Sequence, residues 1–170
     1  MNMLHDARHV ARHEAQRAAA SVSSEYLTFR LGKEEYGIDI LRVQEIRSFE
    51  EPTHLANAAG FLLGVINLRG VIVPIVDLRV KFSTDDTGIG PMTVVIVLNV
   101  KGRILGAVVD AVSDVMELSA DAIRPAPAMS SAVDTSYITG IASTQERMLI
   151  LVDIEALMSS ADMGLIDSAL

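Results

Sequence analysis

The chain has no cysteine. That excludes a disulfide framework, a thiolate zinc site and a cysteine nucleophile, and it fits a reducing cytoplasm. It also has no tryptophan, and aromatics make up only 4% of its 170 residues, so any core must be mostly aliphatic. Positive charge is scarce. Fourteen Lys and Arg face 22 Asp and Glu, for a net charge of -8. From Tyr26 onward the chain holds 11 basic and 19 acidic residues, so the body carries the whole excess. A phosphate-binding surface needs clustered cations, so nucleic acid is not expected as a partner, nor is an anionic membrane surface. No apolar run approaches the roughly 20 residues that span a bilayer, and Val94–Leu98 reads as a buried strand. The N-terminus lacks a signal-peptide core, so the protein is expected to be cytoplasmic.

What is present is a hydrophobic half of the composition, enough to fill a core. Residues 1–25, alanine-rich and holding His5, His9 and His13, read as a mobile tail, and 161–170 as a C-terminal tail. Between them run short strand patterns broken by turns. Leu27, Phe29 and Leu31 alternate on one face of a strand. Gly32-Lys33 turns it into Glu35–Ile38. Val65–Leu68, the turn Arg69-Gly70 and Val71–Val76 form a second hairpin. Thr93–Val100, Lys101-Gly102 and Arg103–Val109 form a third, and Arg147–Val152 is a last strand. Pro74 within a strand pattern predicts an edge or a bulge. Asp77 and Asp153 precede short helical patterns as N-caps, and Asp77→Asn is expected to cost little.

An internal repeat organises these elements. At an offset of 69, Leu31 falls on Val100, Tyr36 on Leu105, Gly37 on Gly106 and Val43–Ile46 on Val112–Val115. After an insertion of seven around Arg124–Met129 the offset is 76, placing Phe61 on Tyr137, Gly64 on Gly140, Val65 on Ile141 and Val76–Leu78 on Val152–Ile154. The chain therefore reads as two intertwined halves, about 26–82 and 92–160, joined by Ser83–Pro91. Five short antiparallel strands per half close naturally into a small barrel, and each half is too small for a comfortable core of its own. The expectation is an all-β protein of two barrels packed around a shared hydrophobic core, with short helices.

No catalytic constellation emerges. Two aspartates in a duplicated chain suggest an aspartic-protease dyad, but Leu78-Arg79 and Ile154-Glu155 follow them instead of a small Thr/Ser-Gly turn. His5, His9 and His13, spaced four apart, match metal-ligand spacing without an apolar stripe to fix a helix; a solvated tail is the reading, and no metal is expected. His54 stands alone in a loop. Gly88-Ile89-Gly90 leads into Pro91 and not into a helix, and no Gly-x-Ser-x-Gly elbow occurs. Arg69, at a hairpin tip, can reach a partner carboxylate. Val43, Ile46, Val112 and Val115 default to packing, but approximate two-fold symmetry would let some of them line a groove for an amphipathic helix.

Three stretches carry a resemblance. They are Leu31–Ile40, Val43–Arg47 and, above all, Gly64–Arg79, with support from Thr93–Asn99, Val108–Val115, Ile123–Pro127 and Arg147–Val152. Over about 25–160 the sequence resembles the CheW family of chemotaxis coupling proteins. The resemblance implies two SH3-like five-stranded barrels. It implies an adaptor, not an enzyme, joining the cytoplasmic tip of transmembrane chemoreceptors to the regulatory domain of the histidine kinase CheA in membrane-associated arrays, with no cofactor. Other CheW copies in rings are further implied partners. An adaptor of another chemosensory pathway, such as one for twitching motility, is the alternative. By position, Arg69 resembles the family's receptor-contacting arginine, and Val43, Glu45, Ile46 and Val115 match its receptor-binding side. Gly64, Val94, Leu105 and Gly106 match positions of one kinase contact, and Arg124 and Met129 a ring-closing surface.

Overall fold

A computed structural model describes residues 23–56, 60–82, 87–127, 136–144 and 146–159. His5, His9, His13, Met129 and both expected tails, apart from Ser23–Glu25, lie outside that set. The described chain is built from eleven strands: β1 Ser23–Leu31, β2 Glu34–Asp39, β3 Val43–Ser48, β4 Leu62–Leu68, β5 Val71–Asp77, β6 Val94–Val100, β7 Arg103–Val109, β8 Ala111–Ser119, β9 Ile123–Arg124, β10 Ile138–Thr144 and β11 Arg147–Val152. Short helices follow β5 (Leu78–Lys81) and β11 (Ile154–Ser159), and 3-10 turns precede β3 (Ile40–Arg42) and β9 (Ala120–Ala122). β1 starts three residues before Tyr26, because Ser23, Ser24 and Glu25 pair with Ser119, Leu118 and Glu117.

The strands form two sheets, in orders β8-β1-β2-β11-β10-β9 and β3-β6-β7-β5-β4. They correspond to two SH3-like barrels. One sheet has six strands where five are expected, the extra one being the two-residue β9. The halves are intertwined by an exchange of hairpins. β1–β2 of the first half belongs to the sheet of the second, and β6–β7 of the second to the sheet of the first. The exchange obeys the repeat. β1 pairs antiparallel with β8 as β6 does with β3, and β2 pairs parallel with β11 as β7 does with β5. The register repeats too, with Gly37 opposite Leu151 and Gly106 opposite Ile75. The backbone N–H of Asp77 donates to Phe61 O at 2.7 Å, and that of Asp153 to Tyr137 O at 2.8 Å.

Because each sheet draws strands from both halves, the core is shared. Leu27, Phe29 and Ile38 from the first half pack with Leu98, Val100 and Leu105 from the second in one buried cluster. Both short helices cap it with Leu78, Ile154, Leu157 and Met158. The few aromatics touch in a row, Phe29 on Tyr36, Tyr36 on Phe82 and Phe82 on Tyr137, at centroid distances of 5.9, 4.9 and 5.4 Å.

Two hairpin turns share one chemistry. In Asn67-Leu68-Arg69-Gly70 the Gly70 N–H donates to Asn67 Oδ1 at 2.8 Å, and in Asn99-Val100-Lys101-Gly102 the Gly102 N–H donates to Asn99 Oδ1 at 3.1 Å. The central residues have positive φ, 51° and 90° in the first turn and 53° and 80° in the second. This is the primed turn that matches strand twist, and it holds a cation at each tip in a conformation that side chains seldom adopt.

Pro74 is accommodated at a local edge. β5 is an interior strand, yet its parallel pairing with β7 begins only at Ile75, and on the other side β4 carries a bulge between Leu62 and Gly64. The missing N–H therefore falls where Pro74 has only β4, through Val65, as a register partner.

Candidate functional site

β3 follows the turn Ile40–Arg42, whose N-cap Asp39 accepts from Leu41 N. Along β3 alternate side chains turn outward, and Ile46 is 44% exposed. Val43, on the other face, packs against the main core. Glu45 reaches the β4–β5 tip, where Arg69 Nη2 donates to its Oε1. Its other oxygen lies 3.7 Å from Arg47 Nη1. The Arg69 hydrogen bond, aided by the charges of Arg69 and Arg47, holds the Glu45 carboxyl below the usual carboxylate range. The same bond raises the Arg69 guanidinium. Beside them a concavity of about 190 Å³ is lined by Gln44, Leu68, Arg69, Val71 and Ile104. Glu45 and Arg69 are thus brought together, while Ile46, the next residue of β3, is exposed on the alternate face of the strand. Val115 is on β8, an edge strand of the other sheet, and is 49% exposed.

Val115 is the repeat mate of Ile46, and Asp114 that of Glu45. The second half also gives its carboxylate an arginine. Arg147 forks onto Glu35 (Nε–Oε1 3.0 Å, Nη2–Oε2 2.7 Å) and onto Asp114 (Nη1–Oδ2 and Nη2–Oδ1, both 3.1 Å). Thr28 donates to Asp114 Oδ1 from the strand between. Arg147 therefore spends four of its five donors on two carboxylates, while Arg69 has one carboxylate and a side chain 64% exposed. Of the two related patches, the first keeps donors to spare for a partner.

The remaining predicted positions fall in three places. Val94, Leu105 and Gly106 lie on β6 and β7. Leu105 and Gly106 are buried, and Val94 is half-buried against the core, so this set supports the sheet from within. Gly64 sits in the β4 bulge at φ +151°, where an added Cβ would fall 2.0 Å from Thr53 O. Arg124 is exposed on β9 and borders a groove of about 420 Å³ with Pro125, Pro127, Ile141 and Met148. Met129 lies outside the described residues.

Asp77 does more than cap. Its Oδ1 accepts from Arg79 N at 3.0 Å, as a cap should, but the same carboxylate takes the Arg79 guanidinium at 2.9 Å (Nε–Oδ1) and 3.0 Å (Nη2–Oδ2). Both side chains are almost wholly buried. Arg79 Nη1 further donates to Gly88 O at 2.7 Å, tying the short helix to the inter-half linker, and reaches Asp110 Oδ1 at 3.4 Å. Sequence reading missed this arginine, since Leu-Arg after a cap reads as the open side of a short helix. Asp153 caps through Glu155 N and Ala156 N and stays exposed. His54 is exposed, its Nε2 2.9 Å from Glu51 Oε1. Among the described residues no group of three or more His, Cys, Asp or Glu is arranged to hold a metal ion, and no helix is long and apolar enough to cross a membrane.

Residues 25–162 match the CheW-like domain. The chain is 56% identical over 151 residues to the chemotaxis protein CheW of Klebsiella aerogenes, covering 89% of this chain and 91% of that protein. It is 36% identical over 138 residues to CheW of Rhizobium meliloti, covering 81% and 89%. In three dimensions it is similar to the scaffolding protein TtCheW of Thermoanaerobacter tengcongensis, with a TM-score of 0.75 at 30% identity over 83% of this chain and 96% of that one. Fold, repeat and sequence converge, and the chain belongs to the CheW-like family.

Proposed function

We propose that this chain is a chemotaxis adaptor that couples the cytoplasmic tip of transmembrane chemoreceptors to the regulatory domain of the histidine kinase CheA, and that it supplies no chemistry of its own. The observation that carries the reading is the Arg69–Glu45 pair beside exposed Val71. It is a cation with unspent donors, fixed at a rigid turn, next to apolar surface. A helical bundle presenting a carboxylate and an aliphatic stripe satisfies both. The kinase side falls to the Arg124 groove, with the buried Leu105 and Gly106 supporting the sheet from within. Contacts of about 800 Å² per partner commonly give micromolar binding, and an array multiplies them by effective concentration.

The test is reconstitution of the full chain with a receptor cytoplasmic fragment and CheA, reading complex formation and kinase autophosphorylation. A ternary complex with receptor-dependent kinase control is expected. Arg69→Glu, at an exposed turn, should lose receptor binding while keeping its unfolding midpoint. A folded Arg69→Glu protein with unchanged receptor affinity removes Arg69 from the site. Binding to neither partner moves the function to another chemosensory pathway.

A further inference from the structure

The two primed turns point the same way. β5 and β7 run parallel, with Ile75 opposite Gly106, and each is entered from its own cationic turn. The Arg69 and Lys101 tips therefore project from one end of the five-stranded sheet. In the strand order β6-β7-β5-β4 they are centred two strand spacings apart, roughly 10 Å. Arg103, at the first position of β7, adds a third exposed cation. Neither Lys101 nor Arg103 makes an ion pair among the described residues. Beside the Arg69 tip lies the concavity of about 190 Å³, lined also by Gln44, where Ile104 from the second half joins Val71 and Leu68 from the first. Val71 and Ile72 are 50% and 62% exposed. A chain with a net charge of -8 thus carries, at the end of the sheet that holds the Arg69–Glu45 pair and its apolar hollow, two further cations with no ion pair among the described residues.

We propose that Lys101 and Arg103 extend the Arg69 surface into a single docking rim for an acidic amphipathic helix. Seven residues of helix rise about 10.5 Å, so carboxylates at positions i and i+7 meet Arg69 and Lys101 together. An aliphatic side chain at i+3 or i+4, on the same helix face, enters the hollow against Ile104. The partner is a helix of the receptor fragment, and in that the inference rests on the function proposed above. The turn cations act mainly on encounter and register, since rim charges change association rate and salt dependence first.

The experiment is calorimetric titration of the full chain with the receptor cytoplasmic fragment at low and at moderate salt. It compares the unmodified chain, Arg69→Glu, the double variant Lys101→Glu/Arg103→Glu, and Lys33→Glu on the β1–β2 turn of the other sheet. The double variant should bind about tenfold more weakly at low salt, the deficit shrinking as salt rises, with Lys33→Glu unchanged. Should the double variant fail to fold, Lys101→Ala and Arg103→Gln are measured singly, with smaller losses expected. Wild-type affinity in the folded rim variants, with Arg69→Glu impaired, overturns the rim and leaves the adaptor reading standing. An equal loss in Lys33→Glu reduces the effect to net charge and overturns it too. No binding by the unmodified chain, or binding to duplex DNA in its place, overturns both.

Discussion

Gly106 lies directly opposite Ile75 across the parallel β5–β7 pair, so closely that a Cβ on Gly106 would sit 2.5 Å from Ile75 Cδ1 and 2.8 Å from Val95 Cγ1. Its repeat mate Gly37 stands in the same relation to Leu151, with a Cβ 2.9 Å from Leu151 Cδ2. The two glycines mark the places where an exchanged hairpin is laid against the sheet of the other half. Their backbone is ordinary, so the constraint is space and not conformation.

Gly106→Ala should therefore destabilise by about 1–3 kcal/mol, the usual cost of an overpacked core. Urea denaturation is expected to show a lower midpoint with an unchanged slope. Adding Ile75→Val, which deletes the clashing Cδ1, should recover part of the loss. A double variant no more stable than Gly106→Ala would place the strain elsewhere.

The two helix caps separate by burial. Asp77→Asn keeps a cap acceptor but removes the charge that grips the almost wholly buried Arg79 guanidinium through two of its nitrogens. Removing one partner of a buried pair costs about 3–5 kcal/mol. Asp153→Asn, exposed and without an ion pair among the described residues, should cost under about 1 kcal/mol. Comparing the two unfolding free energies checks the difference, and equal values would mean that Asp77 acts as a cap alone.

Arg147 gives the fold an acid-sensitive seam. Its hydrogen bonds hold the Glu35 and Asp114 carboxyls below their usual range, Thr28 adding to the effect at Asp114. A depressed native pKa means that the unfolded chain binds protons first. The stabilisation is present above the unfolded values near 4 and is lost as pH falls through the native ones. Arg147→Met should flatten the stability curve below about pH 5 relative to the unmodified chain. Parallel acid limbs in urea titrations would assign the pH dependence to other carboxylates.

The parts of this molecule legible in its sequence are those written in local chemistry. Asn-x-Arg-Gly and Asn-x-Lys-Gly with flanking β-branched runs specify their hairpins, and the spacing of Gly37, Gly106, Gly64 and Gly140 exposes the duplication. The exchange of hairpins has no local signal, because it is a matter of which edge a complete hairpin joins. β3 and β8 escape a strand assignment since their outward faces carry Gln44, Ser48, Ser113 and Glu117, and edge strands need only one apolar side. The Arg69–Glu45 and Arg147–Asp114 pairs span 24 and 33 residues, beyond any periodicity, although the repeat, by matching Glu45 to Asp114, brackets both carboxylates in advance.

The exchange also sets a schedule for the nascent chain. β1 closes on β8, and Thr28 meets Asp114 across 86 residues. At about 5–20 residues per second of synthesis, the first hairpin waits several seconds with an open edge before its neighbours emerge. β3, β4 and β5 wait likewise for β6 and β7, which join them into one sheet. Neither half can be finished before the other is made. A truncation in the linker would not yield one sound barrel and one missing barrel; it would leave two incomplete sheets, so the inheritable unit is the pair.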